Sequence, residues 1–246
     1  MPMTHPSREV RRLAVILLPC LAGATLAAWA PSVPGSAACT EAAAAGEIAA
    51  ARRACRIDGP DANPVDAFNL ALVLHDADPA EARRLLRGAA DAGLAEADQV
   101  LGNLLLDTGE TTAGLARLER AARAGLALAQ YDLATALLEQ GGEDAAAKAG
   151  RWYGRAAAGG EDAARYNLGV LLLSGRAGAP RPLWAWAWLS SIEAMEGHEE
   201  VRRLTRELAE QMDREERARA RELLLRVRRD PVAAATAALA SRILPG

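Results

Sequence analysis

Leucine and small residues recur at a regular spacing through the middle of the chain. The segments that begin at residues 66, 97, 129 and 164 read DAFNLALVL, ADQVLGNLL, AQYDLATAL and ARYNLGVLL. Each has leucine at its fifth position and alanine or glycine at its sixth, and successive leucines lie 31, 32 and 35 residues apart. We interpret each segment as a helix whose small residue lets a neighbouring helix approach closely.

A second motif follows each of these segments. It reads AADAG, AARAG, AAAGG and EAMEG, and its copies end at Gly93, Gly125, Gly160 and Gly197. Each copy closes a helical pattern, and glycine ends a helix readily because it adopts a left-handed conformation without a Cβ clash. The predicted unit is therefore helix, turn, helix and glycine stop. One such pair cannot bury its apolar face alone, so neighbouring pairs are expected to stack.

The two motifs together resemble the Sel-one-like repeat (SLR), a relative of the tetratricopeptide repeat. The best match is RWYGRAAAGGEDAARYNLGVLL at residues 151–172, and the resemblance covers residues 66–200. It implies an all-α fold, namely a right-handed α/α superhelical solenoid of about four SLR helix pairs. We place an N-terminal capping helix at 39–64, the repeats at 65–198 and C-terminal capping helices at 199–246.

The stretch after the repeats is strongly charged. Nine acidic and ten basic side chains lie between residues 199 and 230, which predicts a solvated capping face. Asp213 with Glu216 three residues later predicts a capping box at the start of a helix. Pro231 ends that helix, and residues 232–244 predict a short apolar helix.

The first 38 residues are predicted to be an export signal with a linker. Arg8, Arg11 and Arg12 precede an apolar run over residues 13–30, which a stretch of small residues follows. The signal predicts a periplasmic or secreted location in a bacterial envelope. An uncleaved membrane anchor stays open as an alternative, because the apolar run is near the lower limit for spanning a bilayer.

The cleavage site is predicted from the small residues. Ser36 and Ala38 suit the −3 and −1 positions, so the mature chain is expected to begin at Cys39. Lipidation of Cys39 is the other way in which this end of the chain could reach a membrane.

Cys39 and Cys55 are the two cysteines of the predicted mature chain, which makes a disulfide a candidate in an oxidising compartment. In one straight helix the two sulfur atoms would lie about 24 Å apart, far beyond the reach of a disulfide. A bridge therefore requires a turn, for which Gly46 is the local candidate. The bonded and the unbonded states both stay open.

Charge and titratable residues disfavour several classes of function. The formal net charge of −3 disfavours binding to nucleic acid. His75 is expected to satisfy the end of a helix, and His198 lacks a second histidine or cysteine at ligand spacing. We predict no catalytic residue, no metal site and no cofactor.

The enzymatic alternative comes from the resemblance. Some secreted SLR proteins rich in cysteine are β-lactamases, and they carry a cysteine pair in every repeat. The predicted repeats of this chain contain no cysteine. A β-lactamase-like hydrolase is therefore kept only as the less favoured alternative.

Stacked helix pairs offer a concave surface, lined by the first helix of each pair, that suits a protein or peptide partner. Alignment of the repeats places polar and aromatic residues in two adjacent columns. The first column holds Phe68, Gln99, Tyr131 and Tyr166, and the second holds Asn69, Asp132 and Asn167. All of these except Phe68 are candidate partner-binding residues; the alternative is that the aromatic side chains pack between repeats.

Three tryptophans lie close together at Trp184, Trp186 and Trp188. In a helix the first and last share a face, which predicts that they are core residues, whereas Trp186 points nearly opposite. Trp186 is a further candidate partner anchor, and burial under the terminal helices is the alternative. The sequence as a whole predicts an exported, non-enzymatic SLR scaffold, an adaptor or regulator, with a membrane-tethered envelope assembly factor as the runner-up.

Overall fold

A computed structural model describes residues 35–59, 62–142, 144–192 and 199–240. Within these ranges the chain forms thirteen α-helices and no strand, so the prediction of an all-α fold is confirmed. In chain order the helices are α1 Ala37–Ala44, α2 Ile48–Ala54, α3 Pro64–Leu74, α4 Pro79–Asp91, α5 Ala95–Asp107, α6 Thr111–Arg123, α7 Ala127–Gln140, α8 Ala145–Ala158, α9 Asp162–Ser174, α10 Pro182–Leu189, α11 Glu199–Gln211, α12 Arg214–Arg229 and α13 Pro231–Leu239.

The described residues fall into two compact units, 35–129 and 130–240. In the first unit α3 packs on α4, α4 on α5 and α5 on α6, while α1 and α2 pack on each other and on α3. In the second unit α8 packs on α9 and α9 on α10, α10 contacts both α11 and α12, and α13 lies against α8.

Local sequence signals set where several helices begin. Proline stands at the first position of α3, α4, α10 and α13, where its missing N–H costs nothing and its fixed φ suits the helix. The side chains of Asn63 and Asp78 accept hydrogen bonds from the first turns of α3 and α4. Asp213 and Glu216 form the predicted capping box at the start of α12.

The predicted glycine stops are present in the structure. Gly93, Gly125 and Gly160 have φ of +95°, +96° and +97°, directly after α4, α6 and α8. Gly197 lies outside the described residues. These glycines end the second helix of the first three pairs, as their place in the repeat predicts.

In two of the repeats the small residue beside the repeat leucine is a glycine that lies where two helices meet. A Cβ on Gly102 of α5 would be 2.9 Å from Cγ of Leu118 on α6. A Cβ on Gly169 of α9 would be 2.7 Å from Cγ of Leu189 on α10. The same device therefore joins a helix pair in each unit, because glycine at positions 102 and 169 leaves room for the opposing leucine.

The N-terminal cap differs from the single helix predicted at 39–64. The structure has two short helices, α1 and α2, and α1 begins at Ala37, two residues before the predicted mature start. The chain turns between them at Gly46, which has φ of +70°. A disulfide joins Cys39 to Cys55, whose Cα atoms are 4.6 Å apart. The turn at Gly46 is what brings the two cysteines within bonding distance.

Candidate interaction surface

The structure places most of the predicted partner-binding residues inside the protein. Those that keep 5% or less of their surface exposed are Asn69, Gln99, Tyr131, Tyr166 and Asn167. Phe68 in the same columns is fully buried, and Asp132 and Trp186 are half-buried. A partner that binds the intact fold could therefore contact only the small exposed parts of the side chains in these two columns.

The aromatic column of the second unit makes packing contacts. The rings of Tyr131 and Tyr153 lie 5.7 Å apart at an angle of 52°. The hydroxyls of Tyr153 and Thr135 are 2.8 Å apart and share a hydrogen bond. These contacts bind α7 to α8, which is the packing role that the sequence left open for the aromatic residues.

Asn69 of the second column fastens the N-terminal cap to the repeats. Its side-chain amide donates a hydrogen bond to Oγ1 of Thr40 on α1, at 3.3 Å. The neighbouring Asp66 is fully buried and also bonds to the N-terminal segment. The amide position that looked available for a partner is thus engaged by the chain itself.

Trp186 combines an intramolecular bond with a half-buried ring. Its indole N–H donates to the backbone oxygen of Thr205 on α11, at 3.0 Å. Trp188 is fully buried, whereas Trp184 is half-buried. The hydrogen bond fixes the orientation of the Trp186 ring against α11, and whether its exposed part anchors a partner stays a prediction.

A buried acid with two arginines was not singled out in the sequence. The carboxylate of Asp98 on α5 is 3.1 Å from a guanidinium nitrogen of Arg117 and 3.1 Å from one of Arg120. Arg117 also reaches Asp91, at 2.9 Å, and Arg120 donates to the backbone oxygen of Ala90. Burial raises the pKa of Asp98 although the hydrogen bond from Arg117 lowers it. This network ties α4, α5 and α6 together, and its members lie too far apart in the sequence for a motif to reveal them.

Two further groups have shifted pKa values in the second unit. Burial raises the pKa of Glu161 at the start of α9, and nearby Asp162 and Asp132 act in the same direction. Burial also raises the pKa of Tyr166, with a smaller contribution from Glu200. Neither group faces a nucleophile or a base in a described contact, so the shifts are accounted for by burial and like charge.

Four half-buried apolar residues, two on α3 and two on α5, are together called the first-helix face: Leu72, Val73, Val100 and Leu104. Val73 and Leu104 each lie three residues after a repeat leucine, so they occupy equivalent positions of successive repeats. Leu72, Val100 and Leu104 pack against the core of the first unit on one side. Their remaining exposed surface is apolar, as in the centre of many protein interfaces.

In the ranges that the structure describes, no group of three or more His, Cys, Asp or Glu side chains could hold a metal ion. No helix among the described residues is both long enough and apolar enough to cross a membrane.

The helix pairs and their glycine stops make the fold an SLR-like helical repeat. No protein-family model and no curated protein matches the chain. Among solved structures, it is similar to a protective antigen present in uropathogenic Escherichia coli strains, whose crystal structure displays an SLR fold. The sequence identity is 18% and the TM-score is 0.46. The match covers 85% of this chain, which spans only 60% of the length of that antigen chain.

Proposed function

We propose that this protein is an exported, non-enzymatic helical-repeat scaffold that binds a protein or peptide partner in the bacterial envelope, as an adaptor or regulator. One observation carries the proposal. The polar and aromatic columns of the repeats are largely buried inside the protein, whereas half-buried apolar side chains lie on α3 and α5, the first helices of the first two repeats. Such a face favours association with another chain over chemistry on a small substrate.

The disulfide supports the proposal that the chain works outside the cytoplasm. Structural disulfides persist in oxidising compartments and are rare where thiols are kept reduced. The Cys39–Cys55 bond lies in the N-terminal cap, and an apolar run preceded by arginines stands upstream of it in the sequence. Both features fit a chain that crosses the inner membrane before it folds.

The first-helix face is the proposed contact surface. Val100 and Leu104 lie one helical turn apart on α5, so both can touch the same partner segment. Each is already held against the core on one side, so little side-chain entropy is lost when a partner covers the other side. We expect an apolar segment of the partner to bind there, without a cofactor and without nucleic acid.

The test is affinity capture of the exported chain from an envelope extract of its own organism. The variant carries Val100→Lys and Leu104→Lys, which place two charges on the proposed contact surface. The control is Leu115→Lys, which changes a half-buried leucine on α6, a second helix of the repeat. Circular dichroism of all three proteins checks that each one folds.

A partner that the native chain and the control capture, and that the double variant loses, would establish the proposal. Equal recovery by all three proteins would place the contact on another surface. Failure of the folded native chain to retain any partner, together with turnover of a β-lactam or another screened substrate, would contradict the scaffold function.

A further inference from the structure

The carboxylate of Asp66 is fully buried at the start of α3, and the N-terminal segment supplies most of its hydrogen bonds. The backbone N–H of Ser36 donates to Oδ1 at 2.7 Å, and the hydroxyl of Ser36 donates to Oδ2 at 2.8 Å. The backbone N–H of Arg56 donates to Oδ2 at 3.0 Å. Two of these three bonds therefore depend on Ser36.

Gly35 also fits closely into this arrangement. A Cβ at residue 35 would lie 2.7 Å from Oδ1 of Asp66 and 3.2 Å from Cγ1 of Val65. The backbone oxygen of Ser36 in turn accepts a hydrogen bond from the N–H of Thr40 in the first turn of α1. Gly35 and Ser36 thus belong to the folded cap, which continues from them into α1 without a break.

Cleavage after Ala38, which the sequence predicts, would remove Ser36 and the first two residues of α1. Among the described residues Asp66 would keep only the bond from Arg56, so its carboxylate would lose two of its three donors, which destabilises the fold. The cut would also place a charged ammonium on Cys39, a residue with no exposed surface in the intact fold. The fold therefore opposes a mature start at Cys39.

The disulfide bears on the lipid alternative. A bacterial lipoprotein carries its lipid as a thioether on the sulfur of the first mature cysteine. The sulfur of Cys39 is bonded to that of Cys55 and cannot carry a thioether at the same time. A folded chain with this disulfide is therefore not lipidated at Cys39.

We propose that the mature protein begins no later than Ser36, and that Cys39 serves as a disulfide partner and not as a processing or lipidation site. The leader is removed by hydrolysis of a peptide bond at or before Gly35–Ser36. Water adds across that bond and leaves a carboxylate on the leader and an ammonium on the mature chain. The hydrogen bonds from Ser36 and Arg56 to the carboxylate of Asp66 are called here the Asp66 clasp. Even a cut directly before Ser36 preserves this clasp, because the new ammonium nitrogen is the atom that already bonds Asp66.

This inference rests on the proposed export, and one experiment separates the two. The full precursor is produced in a bacterial host, purified from the envelope fraction, and its N-terminus is determined by intact mass and sequencing. A start between residues 31 and 36, with the two cysteine hydrogens missing, supports both proposals. A start after Ser36, at Cys39 or before it, or a lipid on Cys39, overturns this inference and leaves export standing. Recovery of the chain with an intact Met1 from the cytoplasmic fraction, and none from the envelope fraction, would contradict export.

The clasp itself is tested in the purified product, whatever its N-terminus. Ser36→Ala removes the hydroxyl bond to Asp66 and is expected to lower the Tm by about 3–10 °C, the range for loss of one charge-assisted hydrogen bond in a chain of this size. Ser190→Ala is the matched control, because Ser190 is half-buried and its hydroxyl has no hydrogen bond among the described residues. Its Tm is expected to stay within about 2 °C of the native value.

The double variant Ser36→Ala with Asp66→Asn gives a second readout. If the two side chains act together, the Tm loss of the double variant is smaller than the sum of the single losses. An unchanged Tm for Ser36→Ala overturns the inference, because a residue that has been removed or that makes no bond cannot matter.

Discussion

At both ends of the described chain, a charged side chain forms hydrogen bonds with backbone groups. The two side chains differ in how deeply they are buried. At the N-terminal end the buried carboxylate of Asp66 accepts bonds from Ser36 and Arg56, and a disulfide closes the same region. At the other end Arg181, at the start of α10, donates to the backbone oxygens of Ala237 and Ala240 at the end of α13. Arg181 is half-buried and no covalent bond supports it there.

The difference shows how burial changes the importance of one interaction. A buried acid must keep its donors, because water cannot replace them. A half-exposed guanidinium that loses its carbonyl partners can be solvated instead. We therefore expect substitutions at the N-terminal end to lower the stability of the protein more than substitutions at the C-terminal end.

The largest effect is expected from loss of the disulfide. Cys39→Ser with Cys55→Ser should lower the free energy of unfolding by about 3 kcal/mol, because the bond closes a loop of 16 residues in the unfolded chain. Denaturant titration measures it. A reducing agent should destabilise the native chain by a similar amount and leave the double variant unchanged. Equal stability of the oxidised native chain and the double variant would show that the N-terminal end does not depend on the covalent link.

Substitution of the glycines inside the helix pairs tests whether the helix contacts of the two units are equivalent, although the ends of the chain differ. Gly102→Ala and Gly169→Ala each force a methyl group against an opposing leucine, and each should cost about 1–3 kcal/mol. Gly88→Ala is the control. It lies within α4 with open space around it, so it should stabilise the protein by about 0.5–1 kcal/mol. Very unequal costs at 102 and 169 would break the equivalence of the two helix contacts.

A smaller effect is expected at the C-terminal end. Arg181→Met keeps most of the side-chain volume and removes both bonds to α13, which should cost about 1–2 kcal/mol. The loss should be local, because α13 otherwise rests on α8 through Ala235 and Leu239 near Gly154. Hydrogen exchange should therefore speed up in α13 and stay slow in α3 and α5. Faster exchange throughout both units would contradict a local role.

The smallest effect concerns the capping box of α12. Backbone N–H donation from Glu216 lowers the pKa of Asp213, so the folded state favours the ionised carboxylate. Its contribution to stability is present above the unfolded pKa of about 4 and is lost as the pH falls through the lower folded value. Asp213→Ala should therefore be less stable than the native chain at pH 7 and converge with it at about pH 2.

The control for this pH dependence is Asp107→Ala. Asp107 is exposed at the last position of α5, where its negative charge has no stabilising partner at the helix end. Its substitution should cause no loss of stability at pH 7. A difference between Asp213→Ala and the native chain that persists at about pH 2 would point to a cause other than the ionised cap.

Much of the fold follows from short-range patterns. The glycine stops at Gly93, Gly125 and Gly160 and the capping box at Asp213 are properties of a few adjacent residues, and the structure has them where the sequence predicts them. The division of the N-terminal cap into two helices was harder to predict, because it depends on a single glycine and on a bond that the sequence left open.

The candidate site, unlike the fold, could not be predicted from short-range patterns. Repeat alignment identified the columns that contain Asn69 and Tyr131, but alignment cannot tell a side chain that faces solvent from one that faces the next helix. The Asp98 network and the Asp66 clasp were not predicted, since their partners lie 10 to 30 residues away. No periodic pattern marks such a pair.

The sequence by itself determined that the chain is helical, that its helices come as repeated pairs, and where many of them start and stop, because those features depend on neighbours within one or two turns. Only the tertiary structure decided which polar residues are buried, which half-buried apolar residues remain accessible, and that Ser36 belongs to the fold. Those outcomes depend on which distant groups come within hydrogen-bond distance when the helices pack, and burial makes each such contact hard to replace.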